Sequence, residues 1–187
     1  RSSGDHIHSN VVGAKSYPSC LGEQLRFETH RDERNKTGRK VEIVLCDASF
    51  RVTVHWQFFD GLSVMRAWTE IKNIGETTEC VEHVSSFFYH GIRFKTENSR
   101  DRDSRISYCL NGWCDEFRWI TQDLRTAGPN ESLALATNRV HLSNAGSWSS
   151  KEYLPIGLYE NTENHNTYFW QIESSGSWSW EVASGDF

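Results

Sequence analysis

Along much of this chain apolar and polar residues alternate one by one. The clearest run is FRVTVHWQFFDGLSVMRAWTEIKNIG, residues 50–75. In it Val52, Val54, Trp56 and Phe58 fall to one side, and Arg51, Thr53, His55 and Gln57 to the other. A period of two marks a strand with one face buried. Asp60-Gly61 supplies the pair a tight hairpin turn needs, because glycine tolerates positive φ and aspartate does so better than most. Counting outward from a two-residue turn sets Phe59 against Leu62, His55 against Arg66, Thr53 against Trp68 and Arg51 against Glu70. The other face joins Val52, Val54 and Trp56 to Thr69, Ala67 and Met65, which is the expected core.

The same pattern predicts strands over 41–46, 81–94, 105–110, 132–138, 156–161, 167–173 and 177–183. Turn signals separate them at Ala127-Gly128-Pro129-Asn130, from Asn161 to Asn166, and at Ser174-Ser175-Gly176. No segment has sustained helical periodicity. Many short strands at near-regular spacing point to an all-β antiparallel sandwich or barrel. Gly-Ser-Trp occurs twice, at 146–148 and 176–178, and does not extend into a longer repeat. Each copy reads as a corner entering a strand, with glycine for the turn and tryptophan as a core anchor.

Length and composition narrow the picture. A chain of 187 residues suits a single domain spanning 1–187, and 37% hydrophobic with 24% charged residues is globular. The start, RSSGDHIHSN, lacks an initiator methionine and a signal-peptide core, and both ends read as cut from a longer protein. No apolar run approaches a membrane span, so no membrane is expected as a partner. The net charge of −5 argues against nucleic acid. The one basic run, HRDERNKTGRK at 30–40, carries Asp32, Glu33, Asn35 and Gly38 and reads as a solvated loop. Five cysteines (Cys20, Cys46, Cys80, Cys109 and Cys114) form neither a zinc pattern nor a disulfide framework. Reduced, mostly buried thiols are expected, which favours the cytoplasm.

Motifs for nucleophiles, zinc hydrolysis, phosphate cradling or dinucleotides are missing. His83 and His90 would face opposite ways on a strand, and His55 and His141 read as sheet-surface or satisfied core positions. Asp115, Glu116, Glu160 and Glu181 sit among aromatics, but sequence cannot supply the carboxyl separation that would make a glycosidase pair of them. Trp113, Trp119, Trp148, Trp170, Trp178 and Trp180 crowd the C-terminal half. Flat aromatic rings pack on the C–H face of a sugar. Trp178 and Trp180, two apart on one strand, share a face and read as core instead.

Five blocks carry a resemblance: SYPSCLGEQLRF (16–27), MRAWTEIKNIG (65–75), LNGWCDEFRW (110–119), GSWSSKEYLPIGLYEN (146–161) and WQIESSGSWSWE (170–181). In this order they resemble the N-terminal domain of glycoside hydrolase family 36, the α-galactosidases. The resemblance implies a galactose-mutarotase-like β-supersandwich that precedes a (β/α)8 catalytic barrel. It also implies hydrolysis of terminal α-galactosyl groups of melibiose- or raffinose-type sugars, with retention of configuration. Both catalytic aspartates of such enzymes lie in barrel motifs that nothing in this chain matches. No catalytic residue is therefore carried over, and no metal or cofactor is implied.

Two departures from the family pattern, Arg118 where glutamine is common and the aspartate missing from EQLRF, leave galactose against N-acetylgalactosamine open, and hydrolysis against transfer. The implied partners are an α-galactoside, the protein's own barrel and further copies in a homo-oligomer. The GWCDEFRW stretch has Gly112 for a turn, two tryptophans, and Asp115, Glu116 and Arg118 to meet hydroxyls. Trp113, Asp115, Glu116 and Trp119 are thus candidates for a loop at the pocket mouth, while the blander reading makes Trp113 and Trp119 plugs between sheet and barrel. A free-standing carbohydrate-binding module is the rival reading.

Overall fold

A computed structural model describes residues 22, 24–89, 91–92, 103–129 and 139–183. The described chain is all-β, and every strand pairing in it is antiparallel. Among the described residues no helix is long and apolar enough to cross a membrane. The strand expected at 132–138, together with Cys20 and His90, lies outside the described residues. The strands fall into two compact units, one within Tyr17–Ile92 and one within Arg93–Phe187.

The first unit is a meander of β1 (Arg26–Asn35), β2 (Gly38–Cys46), β3 (Phe50–Phe59) and β4 (Met65–Asn73), hydrogen-bonded in that order. The basic run at 30–40 is thus not a loop but strand, turn and strand. Its period is invisible in hydropathy because β1 is an edge strand exposed on both faces. Charge holds it instead: Arg39 grips Asp32 through two nitrogens at 2.8 and 2.5 Å, and Arg51 grips Glu28 at 3.1 and 2.7 Å. Edge strands rich in charge resist pairing with other chains. The turn residues act as the sequence suggests. The Asn35 side-chain carbonyl accepts from the Thr37 and Gly38 backbone N–H groups.

The β3–β4 hairpin forms, in a different register. Leu62 N donates to Phe59 O around Asp60-Gly61, but only Gly61 (φ +75) is left-handed. A hairpin-matched turn of type I′ needs positive φ at both central residues. The ladder therefore starts only at Phe58↔Met65, and the register slips by two: His55 faces Trp68 and Thr53 faces Glu70. Arg51 stands against Lys72, not Glu70. A two-residue slip keeps every side chain on its expected face.

Burial within this unit departs from expectation. Val52, Val54 and Trp56 are only half buried and Phe58 is exposed, whereas His55 (5% exposed) and Gln57 on the polar face are buried. His55 stacks on Trp68 with centroids 4.7 Å apart and planes 7° from parallel. Its Nδ1 lies 3.1 Å from Glu42 Oε1, and its Nε2 is 3.4 Å from Glu70 Oε1 but off the line of a hydrogen bond. Lys40 closes the group, 2.6 Å from Glu42 and 5.4 Å from the Trp68 ring centre. Of the strand expected at 81–94, residues 82–89 form none and lie beside the apolar face, where Thr69 Oγ1 donates to Ser85 O, and residues 90 and 93–94 lie outside the described residues.

The second unit holds β5 (Ser104–Leu110), β6 (Arg118–Asp123), a one-turn helix α1 (Leu124–Ala127), β7 (Arg139–Asn144), β8 (Tyr153–Asn161), β9 (Asn166–Gln171) and β10 (Trp178–Ala183). One sheet runs β6-β5-β8-β9 and a second pairs β10 with β7. Asp123 caps α1 by accepting from Thr126 N, and Gly128 ends it at φ +115. Alternation sends Ile106, Tyr159 and Trp170 to one face of the larger sheet. On it Ser104 Oγ and Tyr159 OH meet at 2.9 Å, fully buried. Trp180 stands edge-on to Trp170 with centroids 5.0 Å apart, joining the two sheets. Trp178 and Trp180 are both core, as their spacing predicts.

Cys109 is buried, which pushes its thiol above its ordinary value. Cys80 and Cys114 are exposed, against the expectation of mostly buried thiols.

Two predictions follow from this geometry. A Cβ on Gly157 would stand 2.2 Å from the Trp170 ring, where nothing flexible can yield. Gly157→Ala should therefore cost about 3 kcal/mol by overpacking, while Gly176→Ala, whose nearest atom would be 4.0 Å away, stays within about 0.5 kcal/mol in urea denaturation. The second concerns acid. The hydrogen bond from Lys40, with the nearby Lys40 and His55 charges, holds the Glu42 carboxyl below its ordinary 4.5 against the opposing effect of burial. A depressed carboxyl contributes stability above its unfolded value and loses it as pH falls through the folded one. The denaturation midpoint should fall below about pH 4.5, and Glu42→Gln should flatten that part of the profile.

Candidate functional site at the loop end of the second unit

Antiparallel order brings the ends of β5, β7 and β9 and the starts of β6, β8 and β10 to one end of the second unit. Leu110 pairs with Tyr153, Ile156 with Gln171, and Asn144 with Trp178. Three connections gather there: 111–117, 145–152 and 172–177. Their backbone groups leave the ladders and need other partners.

Side chains from three strand ends supply them. Asn144 Nδ2 donates to Trp148 O at 2.9 Å, Trp178 Nε1 to Ser149 O at 2.5 Å, and Asn111 Nδ2 to Ser150 O at 2.5 Å. Asn111 N adds a bond to Glu152 O at 2.9 Å. Gly146 N donates to Ser177 Oγ at 3.0 Å, so the two Gly-Ser-Trp copies touch each other. The second copy enters a strand with its tryptophan buried, as expected. The first differs: it leaves β7, Gly146 (φ +97) turns the chain, and Trp148 is half exposed. The asymmetry has a physical reason, because Trp178 spends its indole N–H on the loop that carries Trp148.

The 111–117 connection holds the residues singled out from sequence. Trp113 stands at its tip, 83% exposed. Asp115 N donates to Gly112 O, and the Asp115 carboxylate pairs with Arg118 at 2.9 Å. The Glu116 carboxylate accepts from Cys114 N at 3.1 Å. Cys114 (φ 60) and Phe117 (φ 64) both sit in the left-handed region. That region costs a residue other than glycine about 1–2 kcal/mol. Phe117, 63% exposed, meets Trp119 edge-on at 6.4 Å. Both acids thus brace the loop that presents Trp113, a duty the sequence does not disclose.

Phe117 and Trp148 are additions to the sequence candidates. Asparagine at the end of β7 and just after β5 is the only sequence sign that the loops are tied together. Glu181 pairs with Arg139 across β7 and β10 at 2.9 Å, away from this end.

No protein-family model matches the chain, and no curated protein matches it. The fold nevertheless has a likeness among solved structures, that of an antiparallel β-sandwich. The crystal structure of the GH36 α-galactosidase AgaA from Geobacillus stearothermophilus superposes with a TM-score of 0.57 at 15% identity. The match covers 94% of this chain and 24% of that one. The chain thus spans about a quarter of the α-galactosidase it resembles.

The clamp can be tested by removing donors singly. Trp178→Phe keeps an aromatic ring but removes the donor to the half-buried Ser149 carbonyl, and Asn111→Ala frees Ser150. Each should cost about 1–2 kcal/mol and speed proteolysis within 145–152. An unchanged cleavage rate in both variants would dissolve the clamp.

Proposed function

We propose that this chain is the N-terminal accessory domain of a retaining α-galactosidase acting on melibiose- or raffinose-type oligosaccharides. The observation that carries the reading is a sandwich fold shared over 94% of this chain with a GH36 α-galactosidase, of which the match covers 24%. The five ordered sequence blocks support it independently. In this reading the barrel supplies both carboxyl groups, about 5–5.5 Å apart for retention. The sandwich supports that barrel and the assembly of a homo-oligomer.

Its loop end contributes surface, not chemistry. Asp115 and Glu116 already brace their own loop, so Trp113 is the group left to meet a sugar. An indole held by a braced loop can stack on the C–H face of a galactosyl or glucosyl unit at the pocket mouth with little further loss of freedom. The exposed Trp113, Phe117 and Trp148 also favour a second reading, a free-standing carbohydrate-binding module.

Hydrolysis of p-nitrophenyl α-galactoside separates them. Activity is expected from the full-length gene product and none from residues 1–187 alone. Activity in the isolated chain would overturn the accessory role. In the full-length enzyme Trp113→Ala should raise KM about fivefold for raffinose with kcat nearly unchanged, the size of one lost stacking contact. If KM and oligomeric state both stay at wild type, Trp113 has no part in either.

A further inference from the structure

The first unit carries a groove of its own, far simpler in chemistry than the loop end. It has a volume of 230 Å³ and is lined by Val54, Trp56, Thr69, Ser85, Ser86, Phe87 and Phe88. Its floor is the apolar face of β3 and β4, where Val54 pairs with Thr69 and Trp56 with the small Ala67. One wall is the segment 85–88, anchored by the bond from Thr69 Oγ1 to Ser85 O. Short side chains at 67, 69, 85 and 86, set beside three aromatic rings, are what leave the space open.

We propose that this groove binds a single neutral pyranose ring. Three features select that ligand. The volume lies below the range of about 300–1,000 Å³ used by drug-sized ligands, which fits one ring and not a nucleotide. Among the described residues no ionisable side chain lines it, whereas the opposite face of the same sheet is crowded with charge. A charged ligand would lose hydration here without finding a partner. The lining also sets the aromatic residues Trp56, Phe87 and Phe88 beside the hydroxyl-bearing Thr69, Ser85 and Ser86. A pyranose has the matching surface, an apolar C–H face bordered by hydroxyl groups. A purely aliphatic ligand would use only half of it. The site needs no barrel, so it stands or falls apart from the accessory-domain reading.

The test uses residues 1–187 with methyl α-D-galactopyranoside and methyl α-D-glucopyranoside, followed by 1H–15N chemical shifts. Saturable shifts are expected at the Trp56 indole N–H and at the 85–88 amides. Ser86 is exposed, so Ser86→Leu fills the groove from outside without disturbing a core, and it should weaken binding at least tenfold. Thr69→Val, which removes the bond that anchors the wall at Ser85 O, should weaken it about fivefold. Trp113→Ala should leave it unchanged. No shift with either sugar up to about 100 mM, far above the millimolar range of weak sites, overturns the proposal. So do shifts confined to the 111–119 loop and abolished by Trp113→Ala, or binding that survives Ser86→Leu.

Discussion

The loop end of the second unit depends on three donors aimed at three consecutive carbonyls. Residues 148–150 belong to no ladder, yet their carbonyls are met in turn by Asn144, Trp178 and Asn111, each from a different strand end. One such bond contributes only about 1 kcal/mol net, while stranding a buried carbonyl costs more. The arrangement therefore acts chiefly by penalising any other loop position. It also fixes which tryptophans can be surface. Trp178 is committed by its N–H and its burial, and Trp148 is carried outward on the segment it helps define. The 111–117 loop inherits its base from the same contacts through Asn111.

The first unit solves a different problem. A four-stranded meander has two faces, and here Phe50 is buried on the apolar one while His55 and Gln57 are buried on the polar one. His55 is shielded by Trp68, Glu42 and Lys40, and Gln57 exchanges bonds with Asn35 while donating to Phe58 O. Burying polar groups is tolerable only when partners meet them. Their partners come from β1, β2 and β4 together, so the register of the whole meander is tied to these two residues. The half-buried apolar face is left smooth except where short side chains open the groove. Polar pairing sets this sheet's register, and apolar residues shape its surface.

How far all this was legible in the sequence follows from what alternation can report. Strands with one apolar face, β3, β4, β5, β8, β9 and β10, announce themselves by period. Edge strand β1 is polar on both faces, so its run looked like a loop. The segment 82–89 has strand-like composition but belongs to no strand. The hairpin at Asp60-Gly61 was found, and its register missed, because the letters do not reveal that Asp60 declines positive φ. At the loop end, Trp113 and its acids were visible as residue types. Their division of labour was not, since it arises from contacts two and three residues apart in a left-handed turn. The meeting of the two Gly-Ser-Trp copies needed the β7–β10 pairing, which joins strands 34 residues apart at Asn144 and Trp178.

The strain at Cys114 and Phe117 gives the loop a direction in which function and stability diverge. Two residues other than glycine in the left-handed region lie above the relaxed chain, and the Asp115–Arg118 pair and the Glu116 bond to Cys114 N hold them there. A sugar hydroxyl competing for either carboxylate would have to release part of that brace. In the proposed reading, selection at this end rests on the aromatic faces and on shape, while the acids stay occupied. Stacking tolerates many ring substituents where hydroxyl readout would discriminate sharply. As an accessory domain of the kind proposed above, a loop built this way would steady or orient a sugar chain and leave recognition of the cleaved unit to residues elsewhere.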